Sequence, residues 1–281
     1  MASRRKKLKC SPVYKTRNNN SKSQNNDCLS HELLKKMKDT HNVRSDNKIF
    51  AEDDEMIRKE LRNIYSSCIH DLCILKQTLS YDDYNVEKNN FLPIANWTKD
   101  PNKWLNTSDI NNVLTQYEHI YPEFQCIGPC PSDWEINNEP ENTCHCNKLC
   151  EFDPKVATAN NITKVGIVFN IDEHYKPGSH WVSMFMDIPK KHIYYFDSEG
   201  IRCPSKIKNF YHKMKEHDKQ FKYFCNNNVV HQRDDGECGI YCIYFILHML
   251  KTGNYSHFSK KRNVIKESTM KKKRKQYFNT V

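Results

Sequence analysis

The stretch Val229-Val230-His231-Gln232-Arg233-Asp234-Asp235-Gly236-Glu237-Cys238-Gly239-Ile240 decides the fold, because a polar, Gly-containing turn gives way at Cys238 to a long apolar run. The run continues through Tyr241, Ile243, Tyr244, Phe245, Ile246, Leu247, Met249 and Leu250. A helix apolar on every face belongs at the centre of a domain. Its first residue is a thiol, placed where free backbone N–H groups and positive potential favour a thiolate and can receive an oxyanion. Cys238 is therefore placed like a nucleophile. Cys242, one turn further in, reads as a small core residue.

Upstream of this helix the texture is β. Three strand-like runs cover 164–171, 179–187 and 192–197, with Pro189 and Lys190-Lys191 supplying a turn between the last two. A helix basic on one face is expected over 204–222 and a short strand over 228–232. Earlier, Trp104-Leu105-Asn106 leads through a Ser/Thr/Asp cap into a helix with Ile110, Val113, Leu114 and Tyr117 inward. Between about 49 and 79, Ile57, Leu61, Ile64, Tyr65, Cys68, Leu72 and Leu75 recur at helical steps behind acidic Glu52-Asp53-Asp54-Glu55, predicting one amphipathic helix. The order of elements predicts an α+β fold.

The 281 residues carry a formal charge of +10, unevenly spread. Residues 1–48 hold 13 Lys+Arg against 4 Asp+Glu and residues 251–281 hold 10 against 1, net +9 each, so residues 49–250 are net −8. Two basic ends on an acidic body point to contact with nucleic acid or another polyanion through Arg4-Arg5-Lys6-Lys7 and Lys271-Lys272-Lys273-Arg274-Lys275. No aromatic pattern for base stacking accompanies them, so sequence-specific readout has no support. The polar tract from Asn18 to Asn26 cannot bury enough surface to fold. The expected organisation is a basic, largely disordered tail over 1–48, a helical extension over 49–99, a core over 100–252 and a basic tail over 253–281. No apolar run approaches the roughly 20 residues of a spanning helix, and the start lacks an apolar signal core. The 13 Cys are accordingly expected to be reduced thiols, metal ligands or a nucleophile before disulfides.

A thiolate nucleophile needs an imidazole, and the imidazole needs an acceptor that orients it. His180 opens one strand-like run and Asp197 closes the next, so a hairpin would bring them to one sheet edge. Gln232, six residues before Cys238, can offer an amide N–H to an oxyanion beside the backbone N–H of Cys238. A second group, Cys126, Cys130, Cys144, Cys146 and Cys150 with His145, is a candidate zinc site, although neither Cys pair has the two-residue spacing of common zinc knuckles. Packing thiols are the alternative. No cofactor is expected.

Taken together, His180-Trp181, Asp197 seventeen residues on, and Gln232 followed by Cys238-Gly239 resemble the pattern of the cysteine proteases that process ubiquitin-like proteins. Adenovirus-type maturation proteases and the polyprotein proteases of large DNA viruses share it, and Trp104-Leu105-Asn106 resembles a further element of the family. The resemblance covers about residues 100–252. It implies a papain-like or adenain-like core with a central mixed sheet and a buried helix starting at the nucleophile. Cys238 would attack, His180 transfer the proton, Asp197 orient His180, and Gln232 hold the oxyanion, with Trp181 and Trp104 walling a slot for Gly-Gly. Thr107 stands where cellular members carry an acidic residue. The 49–99 extension is similar to the arm of the African swine fever virus and giant-virus enzymes. The expected function is a thiol endopeptidase cleaving after Gly-Gly-type sites of viral structural polyproteins, in virions and at assembly sites in the host cytoplasm. The alternatives are a protease acting on ubiquitin-like modifiers, an inactive module gripping Gly-Gly tails, and a nucleic-acid packaging protein, with the nucleus as the alternative location. The oligomeric state is left open.

Overall fold

Short polar side chains set most of the helix starts in the N-terminal part of the chain. Ser30 accepts from the Leu33 N–H to start α2 (His31–Arg44), and Asp53 accepts from Met56 N–H to start α3 (Asp54–Ile64). His70 does the same for Cys73 at α4 (Asp71–Thr78), and Ser80 for Asp83 at α5 (Tyr81–Glu87). Each such cap satisfies an otherwise orphaned donor and is worth about 1 kcal/mol. In this computed structural model, which describes residues 7–17, 28–95, 103–136, 143–234 and 236–280, the chain forms two units, residues 1–96 with 279–281 and residues 97–278.

The first unit also contains α1 (Pro12–Arg17) and a parallel pair of short strands, β1 (Ile94–Ala95) and β9 (Asn279–Thr280). Leu33, Leu34 and Met37 of α2, Ile57 and Leu61 of α3, and Leu72, Ile74 and Leu75 of α4 share one apolar core. Each fully buried large aliphatic side chain contributes about 1.5–3 kcal/mol. Two sequence expectations are corrected here. Residues 31–44, assigned to a disordered tail, are helical because α2 supplies that core. The single helix expected over 49–79 is broken between Ile64 and Asp71, where Ser66 and Ser67 occupy a turn, Cys68 is bonded to Cys73, and His70 starts a new helix. Arg4-Arg5-Lys6 and the Asn18 to Asn26 tract lie outside the described residues.

The second unit is built on a five-stranded mixed sheet in the order β2 (Phe124–Cys130), β5 (Lys164–Asn170), β6 (Trp181–Asp187), β7 (His192–Phe196), β8 (Lys222–Cys225). The outer pairings are parallel and β5, β6 and β7 are antiparallel to one another in turn. One face carries Val165, Ile167, Phe169, Met184 and Tyr195 against Ile207, Phe210 and Met214 of α9 (Ser205–His217). The other receives α10 (Cys238–Thr252). A Cβ on Gly166 would come within 2.7 Å of Ile246, so only glycine lets α10 lie this close to β5. The far side of α10 is covered by α6 (Thr107–Glu118) and α12 (Glu267–Tyr277), which explains an apolar surface all round it.

Smaller elements complete this unit: the hairpin β3 (Glu135–Ile136) and β4 (Thr143–Cys144), and the short helices α7 (Asn147–Cys150), α8 (Pro154–Ala159) and α11 (Ser256–Ser259). The expected strand at 228–232 is a loop, and the last strand of the five-stranded sheet is β8, because the helix expected to reach 222 stops at His217. The C-terminal basic segment is likewise folded. Met270, Arg274 and Tyr277 recur at helical spacing on the buried face of α12, while Lys271, Lys272 and Lys275 stay exposed. The charge run concealed that periodicity. Among the described residues no helix is long and apolar enough to cross a membrane.

Candidate active site

Cys238 is the first residue of α10 and is almost fully buried. His180 directly precedes β6 and Asp197 directly follows β7, and the register that pairs Ser183 with Phe196 brings both to the same end of the hairpin. There His180 Nε2 lies 2.8 Å from Asp197 Oδ1, with Asp197 only 2% exposed. Burial alone would push the His180 pKa down, but hydrogen bonds to Asp197 and Cys238 outweigh it and raise the pKa to about 10. Thiol, imidazole and carboxylate thus converge as the sequence predicts.

Backbone and side-chain contacts lock the carboxylate. Asp197 Oδ1 also accepts from the Glu199 N–H at 2.8 Å. Asn226 accepts from the Asp197 N–H at 2.9 Å and donates back to its carbonyl at 2.7 Å. Gln232, 4% exposed, has its amide oxygen held by the Ser198 hydroxyl at 2.9 Å, which fixes which end of the amide carries the donors. Its Nε2 donates to the Asp234 carbonyl at 2.8 Å, leaving a second amide hydrogen for another acceptor. Ser198 and Asn226 escape sequence reasoning. Ser198 directly follows Asp197, which is a faint signal, whereas nothing distinguishes Asn226 from its neighbours Asn227 and Asn228.

The loop before Cys238 is held by α12. Arg274 Nε lies 3.0 Å from Glu237 Oε2, and its other nitrogens donate to the carbonyls of Gly236 at 2.9 Å and Lys103 at 2.8 Å. Glu267, the first residue of α12, accepts from the N–H groups of Arg233 and Asp234, each at 2.7 Å. The acidic loop is therefore not a uniform negative surface beside the thiol: Glu237 is turned inward and neutralised, while Asp235 lies outside the described residues. Arg274 was hidden within a Lys run.

Trp181 and Trp104 differ in placement. Trp181 is buried and its indole N–H donates to the Leu105 carbonyl at 2.8 Å, whereas Trp104 is 45% exposed. Both line a cavity of about 460 Å³ together with His180. A Cβ on Gly239 would meet the Leu105 side chain at 3.0 Å, so the glycine after Cys238 admits this segment beside the helix start. Asn106 caps α6 in a reciprocal capping box with Asp109, so the start of this helix is set without an acidic side chain at Thr107.

The five zinc-candidate cysteines do not assemble as a thiolate site. Cys130 is bonded to Cys146 and Cys144 to Cys150, while Cys126 is a free thiol buried in β2. Cys10 is also bonded to Cys28, so the expectation of reduced thiols, metal ligands or a nucleophile before disulfides is corrected for these pairs, whose sulfurs the fold brings within bonding distance. Burial holds the thiols of Cys126 and Cys242 well above the ordinary range.

Residues 116–281 match the Ulp1 protease family, C-terminal catalytic domain. A protein of Acanthamoeba polyphaga mimivirus, provisionally named a thiol protease, is 36% identical over 156 residues, covering 53% of this chain and 48% of that protein. A cysteine protease of African swine fever virus (isolate Tick/Malawi/Lil 20-1/1983) is 32% identical over 99 residues, covering 33% of this chain and 36% of that protein. The matched stretches thus span about half, or less, of the length of these curated relatives. In fold, the chain superposes on the crystal structure of an African swine fever virus protease with a TM-score of 0.65 at 18% identity, covering 100% of this chain and 98% of that one. With the family match extending over more than half of its residues, the chain belongs to the Ulp1 family of cysteine proteases.

Proposed function

We propose that the chain is a thiol endopeptidase in which Cys238 is the nucleophile. The observation that carries this reading is His180 held between Asp197 and Cys238 at the start of a buried helix. Cys238 Sγ attacks the scissile carbonyl, and His180 gives its proton to the leaving amine as the C–N bond breaks. His180 then takes a proton from water, whose oxygen displaces Cys238 from the thioester and frees the carboxylic acid. The Cys238 backbone N–H and the Gln232 amide receive the oxyanion, where one donor is worth about 2.7–4 kcal/mol in the transition state. Asp197 fixes the imidazole and stabilises its charged form.

The substrate is a protein with a Gly-Gly-type cleavage site, and we assign Trp104 and Trp181 to the walls that admit only small residues. Processing of viral structural polyproteins, in virions and at cytoplasmic assembly sites, is supported by the viral relatives. Action on ubiquitin-like modifiers is the second reading, supported by related African swine fever virus proteins that carry the name SUMO-1 cysteine protease. The exposed lysines of α12 support non-specific contact with a polyanion. The test is incubation of the chain with Gly-Gly-X peptides beside a folded ubiquitin-like precursor. Cleavage of peptides supports the first reading, cleavage of the folded modifier alone supports the second, and cleavage of neither removes the assignment.

A further inference from the structure

Beside the cavity that His180 and Trp181 line, three segments distant in sequence bring a carboxylate and two imidazoles together. Asp133 lies in the turn after β2, His145 follows β4, and His174 lies in the turn after β5. One potential ligand atom from each lies within 4.8 Å of the others. His174 Nδ1 is 2.7 Å from Asp133 Oδ2, and the His174 backbone N–H donates to Asp133 Oδ1 at 2.8 Å. The rings of His145 and His174 stack with centroids 3.7 Å apart. His145 Nε2 is buried and makes no hydrogen bond. A buried imidazole nitrogen without a partner has lost its contact with water and gained nothing in exchange, so a ligand that takes its lone pair is favoured here.

The scaffold around these residues is rigid. His145 sits between Cys144 and Cys146, each of which is disulfide-bonded, to Cys150 and Cys130 respectively. Its backbone N–H donates to the Trp134 carbonyl at 3.0 Å, and the Ser132 N–H donates to the Asp172 carbonyl at 2.9 Å, tying the Asp133 turn to the His174 turn. Nearby Glu173 is already engaged by Lys176 and Lys206, each at 2.6 Å, and is not counted among the ligands.

Two imidazoles and a carboxylate are a donor set that suits borderline first-row dications, and three protein ligands leave one of four tetrahedral positions open. We propose that Asp133, His145 and His174 form a binding site for Zn²⁺ or a chemically similar dication. His145 and His174 line the same cavity as His180, so a cation held by them would sit beside the space that the proposed function gives to the peptide. A bound cation would give His145 Nε2 the partner it lacks and would compete with the His174 to Asp133 hydrogen bond. This site is separate from Cys238, and its test does not depend on peptidase activity.

The experiment uses the full chain carrying Cys238→Ser, which removes the thiol that could bind metal with His180, under non-reducing conditions that keep the disulfides. After equilibrium dialysis against Zn²⁺, metal analysis is expected to find one ion per chain, and Co²⁺ is expected to give the intense visible bands of four-coordinate geometry. His174→Ala, at an exposed position, and His145→Ala are each expected to weaken binding by more than about tenfold. Circular dichroism melts confirm that the variants remain folded. Absence of bound metal in the Cys238→Ser chain, or equal affinity in the folded His174→Ala chain, overturns the proposal.

Discussion

Arg274 and Glu237 form a buried ion pair at 3.0 Å, and Glu237 is the residue that precedes Cys238. The two side chains are 5% and 3% exposed, and the same guanidinium also holds the carbonyls of Gly236 and Lys103. A segment that looks like a solvated basic tail thereby positions the start of the helix that carries the thiol.

Removing one partner of a buried pair leaves an uncompensated charge, a loss of about 3–5 kcal/mol. Arg274→Ala is expected to lower stability by that order in denaturant titration and to reduce kcat, because the Gly236-Glu237 backbone loses its restraint. Adding Glu237→Gln should restore part of the stability, since the orphaned charge is removed. A single Arg274→Ala variant as stable and active as the parent would falsify this positioning role.

The pKa of His180 is raised to about 10, with the ordinary imidazole value near 6.5. Protonated His180 therefore contributes stability that is fully present below about pH 6.5 and is lost as pH climbs through about 10. Asp197→Asn removes the stronger of the two interactions that raise it. The alkaline limb of the kcat/KM profile is expected to move down by more than about one pH unit in this variant. An unmoved limb would mean that the carboxylate does not hold the imidazolium.

Cys238→Ala should abolish cleavage while leaving the chain folded, with a lowered melting temperature because His180 loses one of the two hydrogen bonds that hold its charged form. Alkylation offers an independent check. At pH 6, iodoacetamide is expected to modify Cys238, next to a protonated imidazole, and to spare Cys242, which burial keeps as the neutral thiol. Peptide mass spectrometry reads the ratio, and equal labelling counts against Cys238 as nucleophile.

Gln232→Ala should lower kcat by roughly 10²-fold with little change in KM, as expected for a donor used only in the transition state. Ser198→Ala is expected to give a smaller loss in kcat, because the hydroxyl acts through the Gln232 amide oxygen and does not itself touch the substrate. Single-turnover kinetics separate the two. A larger effect from Ser198→Ala than from Gln232→Ala would show that the hydroxyl has another role.

The helix that begins at Cys238, the strands β5 to β7 and the meeting of His180 with Asp197 could all be read along the chain. Their signals are local: a run apolar on every face, short β-rich runs, and a hairpin turn of a few residues that fixes which ends are neighbours. The remainder depended on contacts between distant segments that leave no periodic trace. Arg274 meets Glu237 across 37 residues, His174 meets Asp133 across 41, and Gln232 is oriented by Ser198 across 34. The helix at 31–44 and the face of α12 were masked by charge, because their lysines reach solvent while a few residues at helical spacing supply the burial. A continuous apolar run by itself marked the helix and the thiol at its start; only tertiary packing decided which buried charges hold the loop before it and which cysteines are joined, because burial and pairing depend on the whole surrounding shell.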